Sequence, residues 1–181
     1  MEKNKNTLSK GYVQIYTGNG KGKTTAAIGQ AVRAAGYGLK TYVVQFMKEF
    51  PYNELNSLKH LREWITIEQF GEDDFVYKKE LPGEKDLGKA QKGLYSAKEK
   101  MSNGEYDLIL LDEAIVAIYF KLLKTEELIE LIKQKPGNVE LILTGRYCPE
   151  ELIKLADLVT EMREVKHYYQ KGVLSRRGIE S

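Results

Sequence analysis

Two kinds of hydrophobic pattern alternate along the chain and predict an alternation of strands and helices. Runs rich in β-branched, aromatic or uninterrupted apolar residues predict strands. These strands cover 12–16, 41–46, 64–70, 106–113, 139–144 and 157–162. Apolar residues at helical spacing, ended by Gly, Pro or Asn, predict helices. These helices cover 26–35, 53–61, 86–101, 114–120, 125–132 and 150–156. The alternation predicts an α/β fold of three layers, with a mostly parallel sheet and crossover helices.

Two segments break this pattern. Residues 1–10 are polar and rich in lysine, which predicts a flexible N-terminal arm. Residues 71–86 hold three successive acidic residues, two aromatic residues and a Pro-Gly pair, which predicts a long loop of functional or disordered character. Asp86 is predicted to be the N-cap of the helix that follows. The chain shows no repeat or linker, so residues 1–181 are expected to form a single domain.

The first predicted strand runs directly into a glycine-rich turn and then a helix. The turn reads Thr17-Gly18-Asn19-Gly20-Lys21-Gly22-Lys23-Thr24-Thr25. Glycines let backbone N–H groups close around phosphate oxygens, and the helix N-terminus adds a partial positive charge. Lys23 can reach a polyphosphate, and the hydroxyl of Thr24 suits Mg²⁺. The strand and helix are the context that this motif requires, so the turn predicts a nucleotide-binding loop.

The loop departs from the common pattern G-x-x-x-x-G-K-[ST] in one respect. Thr17 stands where that pattern has its first glycine, so the glycine-bounded loop is one residue shorter. The short loop leaves open which phosphate group occupies which position.

A pair of acidic residues follows the most apolar predicted strand. Residues 108–111 are apolar without alternation, as in a strand buried on both faces of a parallel sheet, and Asp112 and Glu113 come directly after them. In a phosphate-loop protein, a carboxylate at such a strand end completes the Mg²⁺ site. The pair therefore predicts a magnesium site shared with Thr24. Asp112 could also cap the helix over 114–120, and the two roles are compatible.

Composition restricts the class of protein. The chain has 181 residues, of which 42% are hydrophobic and 30% charged, and its net charge is +2, which gives no indication of a nucleic-acid or membrane partner. The one cysteine, Cys148, excludes an intramolecular disulfide and a multi-cysteine zinc site, and is expected to be an inert thiol. There is no apolar run of membrane-spanning length and no secretory signal, so a cytoplasmic protein is expected.

Further motifs follow the loop and the acidic pair in a fixed order. They are residues 45–48, 111–113, 144–146, 156–162, 166–167 and 172–180. With the short loop, they resemble the ATP:cob(I)alamin (corrinoid) adenosyltransferases of the bacterial cobalamin-synthesis and salvage type, over nearly the whole chain. The resemblance implies a P-loop NTPase (RecA-like) fold. It also implies transfer of the 5′-deoxyadenosyl group of ATP to Co(I) of a reduced corrinoid, with triphosphate as leaving group and ATP reversed in the loop.

The resemblance also implies roles for individual residues. It assigns the triphosphate to Gly18, Asn19, Gly20, Lys21, Gly22, Lys23, Thr24 and Thr25. Within this set, Lys23 and Thr24 act in catalysis together with Glu113. Mg²⁺ is held by Thr24 and Glu113, while Asp112 supports these ligands or replaces one of them. Arg33 matches a family arginine that is either a nucleotide contact or a solvated helix residue, and Arg146 is either a phosphate contact or packs against a carboxylate.

The corrinoid side of the resemblance rests on fewer residues. Phe75 and Tyr77 stand near the place where family members carry Gly-Phe-Thr-Trp, whose aromatic residues keep the lower face of cobalt free of ligands. His167 is interpreted as a hydrogen-bonding residue near the site, with cobalt ligation as the alternative, and His60 as a helix-surface residue. The family further implies a homodimer, with a flavoprotein as a possible reductant.

Two other functions compete with this interpretation. A phosphoryl-transfer enzyme on the same fold, such as a nucleoside kinase or an ATPase, would release ADP. A nucleotide-dependent nucleic-acid-binding protein would need a basic surface, which the near-neutral charge disfavours.

Overall fold

A computed structural model of the protein describes residues 6–48, 53–71 and 81–180. Its six strands are β1 Val13–Thr17, β2 Thr41–Phe46, β3 Ile65–Phe70, β4 Leu108–Asp112, β5 Glu140–Thr144 and β6 Leu158–Glu161. Its α-helices are α1 Lys23–Tyr37, α2 Asn53–Leu58, α3 Glu84–Ser102, α4 Ala114–Tyr119, α5 Thr125–Gln134 and α6 Glu150–Leu155. The described residues also include the 3-10 helices Lys59–Leu61 and Tyr168–Lys171.

The strands form one sheet in the order β3-β2-β4-β5-β1-β6, and every pairing in it is parallel. The α/β fold predicted from the sequence is therefore confirmed, and the sheet is entirely rather than mostly parallel. Because parallel strands point the same way, their carboxyl ends meet at one edge of the sheet, where α/β proteins of this kind bind ligands. None of the helices in the described ranges is long and apolar enough to cross a membrane.

Helices cover both faces of the sheet and give it three layers. Along β4, Ile109 and Leu111 belong to the core that includes residues of α3, α5 and α6, whereas Leu108 and Leu110 belong to the core formed with α1. Successive side chains of a strand point to opposite faces, so a strand buried on both faces needs apolar residues throughout. The uninterrupted apolar run in β4 follows from this arrangement.

Two capping predictions are corrected by the structure. Helix α3 begins at Glu84, and the carboxylate of Asp86 accepts the backbone N–H of Gly83 at 3.1 Å, so Asp86 lies within the first turn and is not the N-cap. An acidic residue at the third helical position can bond back to the cap, which shifts the helix start towards the N-terminus. At α4 the N-cap is Glu113, while the side chain of Asp112 is bonded elsewhere.

The described part of the predicted N-terminal arm contacts the C-terminal end of α1. The side-chain amide of Asn6 donates to the carbonyl of Tyr37 at 2.7 Å, and Leu8 packs against the core on that side of the sheet. The flexibility predicted for residues 1–10 stays a prediction.

Candidate active site

Four strand ends place polar side chains together at the carboxyl edge of the sheet. Strand β1 leads into the glycine-rich loop, β4 ends at Asp112 and β5 ends at Thr144. Strand β5 lies between β1 and β4 in the sheet, so Thr144 stands between the loop and the acidic pair. On the other side of β4, β2 contributes Gln45 at its end and Lys48 just beyond it.

Asp112 is the centre of this arrangement. Its side chain is fully buried, and its Oδ1 accepts hydrogen bonds from the hydroxyls of Thr24 and Thr144, both at 2.8 Å. Its Oδ2 accepts from Lys48 Nζ at 2.8 Å and from Gln45 Nε2 at 3.1 Å. A carboxylate has about four lone-pair sites, so these four donors satisfy it completely.

Lys48 and Asp112 form an ion pair in the interior. Burial alone would raise the pKa of Asp112, but Lys48 and the two hydroxyl donors outweigh it and hold that pKa below its usual range. Burial would likewise lower the pKa of Lys48, and the Asp112 carboxylate more than offsets this and raises it. Both groups therefore stay charged at neutral pH. The sequence analysis identified residues 45–48 as one motif of the resemblance but did not anticipate this pairing.

Glu113 differs from Asp112 in its backbone conformation, its hydrogen bonding and the direction of its pKa shift. Its backbone is left-handed, with φ 62°, and its N–H donates to the hydroxyl of Thr144 at 2.9 Å. Its side chain faces the pocket that Thr24 also lines, and among the described residues no donor bonds its carboxylate. Burial, and then repulsion by Asp112, raise the pKa of Glu113. A carboxylate in these surroundings is suited to binding a cation.

The donor set at this edge fits Mg²⁺. Thr24 donates its hydroxyl proton to Asp112, which leaves oxygen lone pairs directed away from that bond, and Glu113 supplies a carboxylate in the same pocket. Within residues 6–48, 53–71 and 81–180, no group of three or more His, Cys, Asp or Glu side chains could hold a metal. Mg²⁺ with nucleotides commonly takes one or two protein oxygens, with phosphates and water completing the octahedron. Asp112, whose lone pairs are used, fits the supporting role better than that of a direct ligand.

Lys23 is directed back into the loop. Its Nζ donates to the carbonyls of Gly18 and Gly20, each at 2.8 Å, and burial lowers its pKa. Helix α1 begins at this lysine with Gly22 as its N-cap, φ 120°, and no side chain caps the first turn. The N–H groups of that turn are thus directed at the position where an anion would bind.

The glycines of the loop are needed for contact with the chain as well as with phosphate. The N–H of Gly20 donates to the carbonyl of Met162, just after β6, at 2.6 Å. A Cβ atom at Gly18 or Gly20 would lie 2.5 or 2.7 Å from that same oxygen. One loop amide that was predicted to bind phosphate is therefore bonded to the protein in this structure.

The C-terminal segment lies over the loop, which the sequence interpretation did not anticipate. Lys21 Nζ donates to the carboxylate of Glu180 and to the carbonyl of Ile179, both at 2.9 Å. The hydrogen bond to Glu180 raises the pKa of Lys21. Arg176 and Tyr168 also bond the Glu180 carboxylate, which fixes the end of the chain. The one signal of this contact in the sequence was the motif at 172–180.

Two pockets adjoin at the sheet edge. The first, about 540 Å³, extends from Thr24 and Thr25 to Glu180 of the C-terminal segment. The second pocket has a volume of about 430 Å³ and adjoins the first. It is lined mainly by apolar and aromatic residues, together with Arg146. Lys48 and Glu113 line both pockets. The arrangement can hold a polyanion in one pocket and a larger apolar or amphipathic molecule beside it.

Other predicted site residues lie farther away or outside the described ranges. Arg33 is exposed on α1, and nine residues at 1.5 Å each separate it from Thr24 by about 14 Å along the helix. Phe75 and Tyr77 lie outside the described residues. The predicted roles of these three residues stay predictions.

The histidines and the cysteine have local partners or local roles. His167 precedes the second 3-10 helix, and its Nδ1 accepts the backbone N–H of Tyr169 at 3.1 Å. Its predicted role near the corrinoid stays a prediction. His60 is exposed in the first 3-10 helix. Burial raises the pKa of the Cys148 thiol to about 11, which agrees with the expectation of an inert thiol.

Almost the whole chain is similar to proteins of one known family. Residues 9–181 match the family described as ATP:corrinoid adenosyltransferase BtuR/CobO/CobP. The chain is 36% identical over 172 residues to the corrinoid adenosyltransferase of Escherichia coli strain K12, covering 94% of this chain and 86% of that protein. The Salmonella typhimurium LT2 protein gives the same identity and coverage. The corrinoid adenosyltransferase of Pseudomonas aeruginosa is 30% identical, covering 94% of this chain and 84% of its own length.

Proposed function

This chain belongs to the ATP:corrinoid adenosyltransferase family, and we propose that its two adjoining pockets hold the two substrates of that reaction. The enzyme transfers the 5′-deoxyadenosyl group of ATP to the cobalt of a reduced corrinoid. ATP occupies the pocket that begins at the glycine-rich loop, and the corrinoid approaches from the second pocket. One observation carries the proposal: both pockets open at the carboxyl edge of the sheet and share Lys48 and Glu113.

The reaction sets the demands on the protein. The electron pair of Co(I) forms the bond to C5′ of ATP, the C5′–O bond breaks, and its electrons leave with the triphosphate, so cobalt becomes Co(III). Such a displacement needs stabilisation of a departing polyanion and an aligned approach of cobalt to carbon. No proton is transferred in this step, so no general base is required of the protein.

The loop and the start of α1 meet the first demand. The first-turn N–H groups of α1, Lys23 and Lys21 surround the place of the triphosphate. For Lys23 to reach a phosphate oxygen, its Nζ exchanges the carbonyls of Gly18 and Gly20 for the anion. Because this ammonium group is already buried, which lowers its pKa, binding the anion requires little further desolvation of it. The reversed orientation of ATP, implied by the family, puts the leaving triphosphate in this cradle and C5′ towards the second pocket.

Magnesium is held in this proposal by Thr24 and Glu113. When bound, the ion neutralises charge on the leaving triphosphate. Asp112 holds Thr24 in place through the 2.8 Å hydrogen bond, and the ion pair with Lys48 fixes Asp112 itself. The two adjacent carboxylates thus have different roles in this proposal: Asp112 positions Thr24, and Glu113 binds the cation.

The phosphoryl-transfer alternative is not favoured. The matched relatives are named corrinoid adenosyltransferases, and the chain matches their family along 9–181. From the family we also propose a homodimer in the cytoplasm that can receive electrons through a flavoprotein.

The test is an anaerobic incubation of the protein with ATP, Mg²⁺ and chemically reduced cobalamin. We expect loss of the Co(I) absorbance, a light-sensitive alkylcobalamin and intact triphosphate, identified by anion-exchange chromatography. Lys23→Ala should lower the rate by about 10²-fold or more, since it removes a cation from the leaving group. Lys133→Ala, an exposed lysine of α5, is the matched control and should react normally. Release of ADP without any change at cobalt would overturn the proposal in favour of phosphoryl transfer.

A further inference from the structure

Two tyrosines form a contact at the mouth of the second pocket. Tyr119 at the end of α4 and Tyr147 after β5 have ring centroids 4.3 Å apart and an interplanar angle of 31°. They remain 57% and 54% exposed, and both line the pocket with Phe120, whose ring packs against Tyr119 at 5.3 Å. Aromatic side chains that pair with each other and still face solvent present a large rigid surface to a ligand.

The backbone around this pocket is constrained where its walls are formed. Among the described residues, four that are not glycine have positive φ, and three of them, Met47, Glu113 and Tyr147, line the second pocket. Their φ angles are 55°, 62° and 62°. Such conformations are unfavourable for residues with a side chain and concentrate at functional sites.

The close approach of the segment after β5 to helix α4 brings Tyr147 next to Tyr119. Gly145, with φ 143°, lies so near the start of α4 that a Cβ atom there would be 2.7 Å from the backbone N of Val116. This contact holds the segment after β5 against α4, and the left-handed turn at Tyr147 then directs its ring onto that of Tyr119. The pair is thus built by tertiary packing at a backbone cost, without contributing to the buried core.

We propose that the Tyr119–Tyr147 pair is the wall against which the corrinoid packs, and that it positions the ring for transfer. This inference rests on the proposed function and assigns corrinoid contacts that are separate from Phe75, Tyr77 and His167. A pocket of about 430 Å³ is smaller than a whole corrinoid, so it takes one edge of the ring while the half-exposed tyrosines contact the part that extends beyond it.

The alternative occupant of the aromatic wall is the adenine ring of ATP. The first pocket offers its own apolar contact for a base at Ile28, beside Thr24 and Thr25, and its volume of about 540 Å³ is the larger. An adenine in the second pocket would also leave the corrinoid without an apolar surface next to Glu113. The two assignments predict different kinetic changes, so one set of variants separates them.

The experiment measures the KM for cob(I)alamin and the KM for ATP in separate titrations of four variants. Tyr147→Gly removes the ring at a position whose backbone favours glycine, so its Tm should equal or exceed that of the wild type. Tyr119→Leu removes the other ring, and Tyr147→Phe keeps the ring but removes the hydroxyl. Tyr95→Ala removes a tyrosine of α3 that is even more exposed, at 70%, and serves as the control. We expect Tyr147→Gly and Tyr119→Leu to raise the corrinoid KM about 10-fold or more and change the ATP KM less than 2-fold. Tyr147→Phe keeps the aromatic surface, so its corrinoid KM should stay well below that of Tyr147→Gly, and Tyr95→Ala, outside the pocket, should behave as wild type.

Each result has a separate meaning. An unchanged corrinoid KM in Tyr147→Gly and Tyr119→Leu, with an active wild type, would overturn the assignment of the wall and leave the proposed function intact. A rise in the ATP KM alone would place adenine there and overturn it as well. A wild type that does not alkylate cob(I)alamin would refute the proposed function itself.

Discussion

Replacing Asp112 by Asn should both destabilise the protein and stop its reaction. The substitution keeps the size of the side chain and one acceptor oxygen but removes the charge that Lys48 contacts at 2.8 Å. At this distance and an effective dielectric constant of about 20, the attraction is about 6 kcal/mol, and desolvation of both groups offsets part of it. Removing one partner of a buried ion pair typically costs about 3–5 kcal/mol. We expect a loss of this size in the free energy of unfolding.

Urea denaturation and thermal unfolding measure this loss. For a chain of this length, each kcal/mol lowers Tm by about 2–4 °C, so Asp112→Asn should lower Tm by about 6–20 °C. The matched control is Asp107→Asn, directly before β4. Asp107 is also buried, but its carboxylate accepts a neutral donor, the backbone N–H of Lys40 at 2.9 Å. Losing a carboxylate that bonds a neutral donor should cost about 1–2 kcal/mol and leave turnover unchanged.

A second substitution tests the cause of the destabilisation. If the cost arises from the charge of Lys48 in the interior, adding Lys48→Met to Asp112→Asn should restore part of the lost stability, because it removes that charge. Turnover should stay low, since the amide that replaces the carboxylate carries no charge and offers a single acceptor oxygen to the hydroxyls of Thr24 and Thr144. A loss below about 1 kcal/mol in Asp112→Asn, or no recovery in the double variant, would refute the argument that this ion pair organises the site.

Three further predictions follow from the site. Glu113→Gln should raise the Tm of the metal-free protein at pH 8, because the raised pKa of Glu113 means that its charged form is disfavoured in the fold. The Tm difference between variant and wild type should close as the pH falls through that raised pKa, because Glu113 of the wild type then becomes protonated. The Mg²⁺-dependent turnover of the variant should be low at every pH. A higher Tm of the wild type at pH 8 would contradict this prediction. Gly20→Ala should lower Tm by at least several degrees, because its Cβ would meet the carbonyl of Met162 at 2.7 Å, while Gly29→Ala within α1, with nothing within 4 Å, should stabilise by about 1 kcal/mol. Thr24→Val should weaken Mg²⁺-dependent ATP binding in calorimetry about 10-fold or more, and Thr24→Ser, which keeps the hydroxyl, should bind as wild type.

The parts of the fold that could be predicted from the sequence depend on neighbours along the chain. The loop at 17–25 was recognisable because its glycines, lysine and threonines act through the backbone of a few adjacent residues and the start of α1. Strand β4 was recognisable because burial on both faces requires apolar residues at every position. Element boundaries were less certain, and Asp86 shows why: an acidic residue suits the cap and the first turn equally well.

The roles of Asp112 and Glu113 were decided by tertiary structure. As adjacent carboxylates they are equivalent in the sequence, and it is the sheet order, with β5 between β1 and β4, that surrounds one of them with donors. Those donors come from positions 24, 45, 48 and 144, on three other parts of the chain. No local pattern specifies contacts between such distant residues, because packing of complete elements brings them together.

The same reason applies to the two contacts that complete the pockets. Lys21 meets Glu180 across nearly the whole chain, and Tyr147 meets Tyr119 only because Gly145 lets β5 end against α4. The amino-acid sequence by itself determined a glycine-rich loop between a strand and a helix, a strand that ends in two acidic residues, and the family to which the chain belongs. Only the folded chain determined which of the two carboxylates is surrounded by donors, which one lines a pocket without them, and where the two pockets adjoin, since electrostatic and packing energies depend on distances in space.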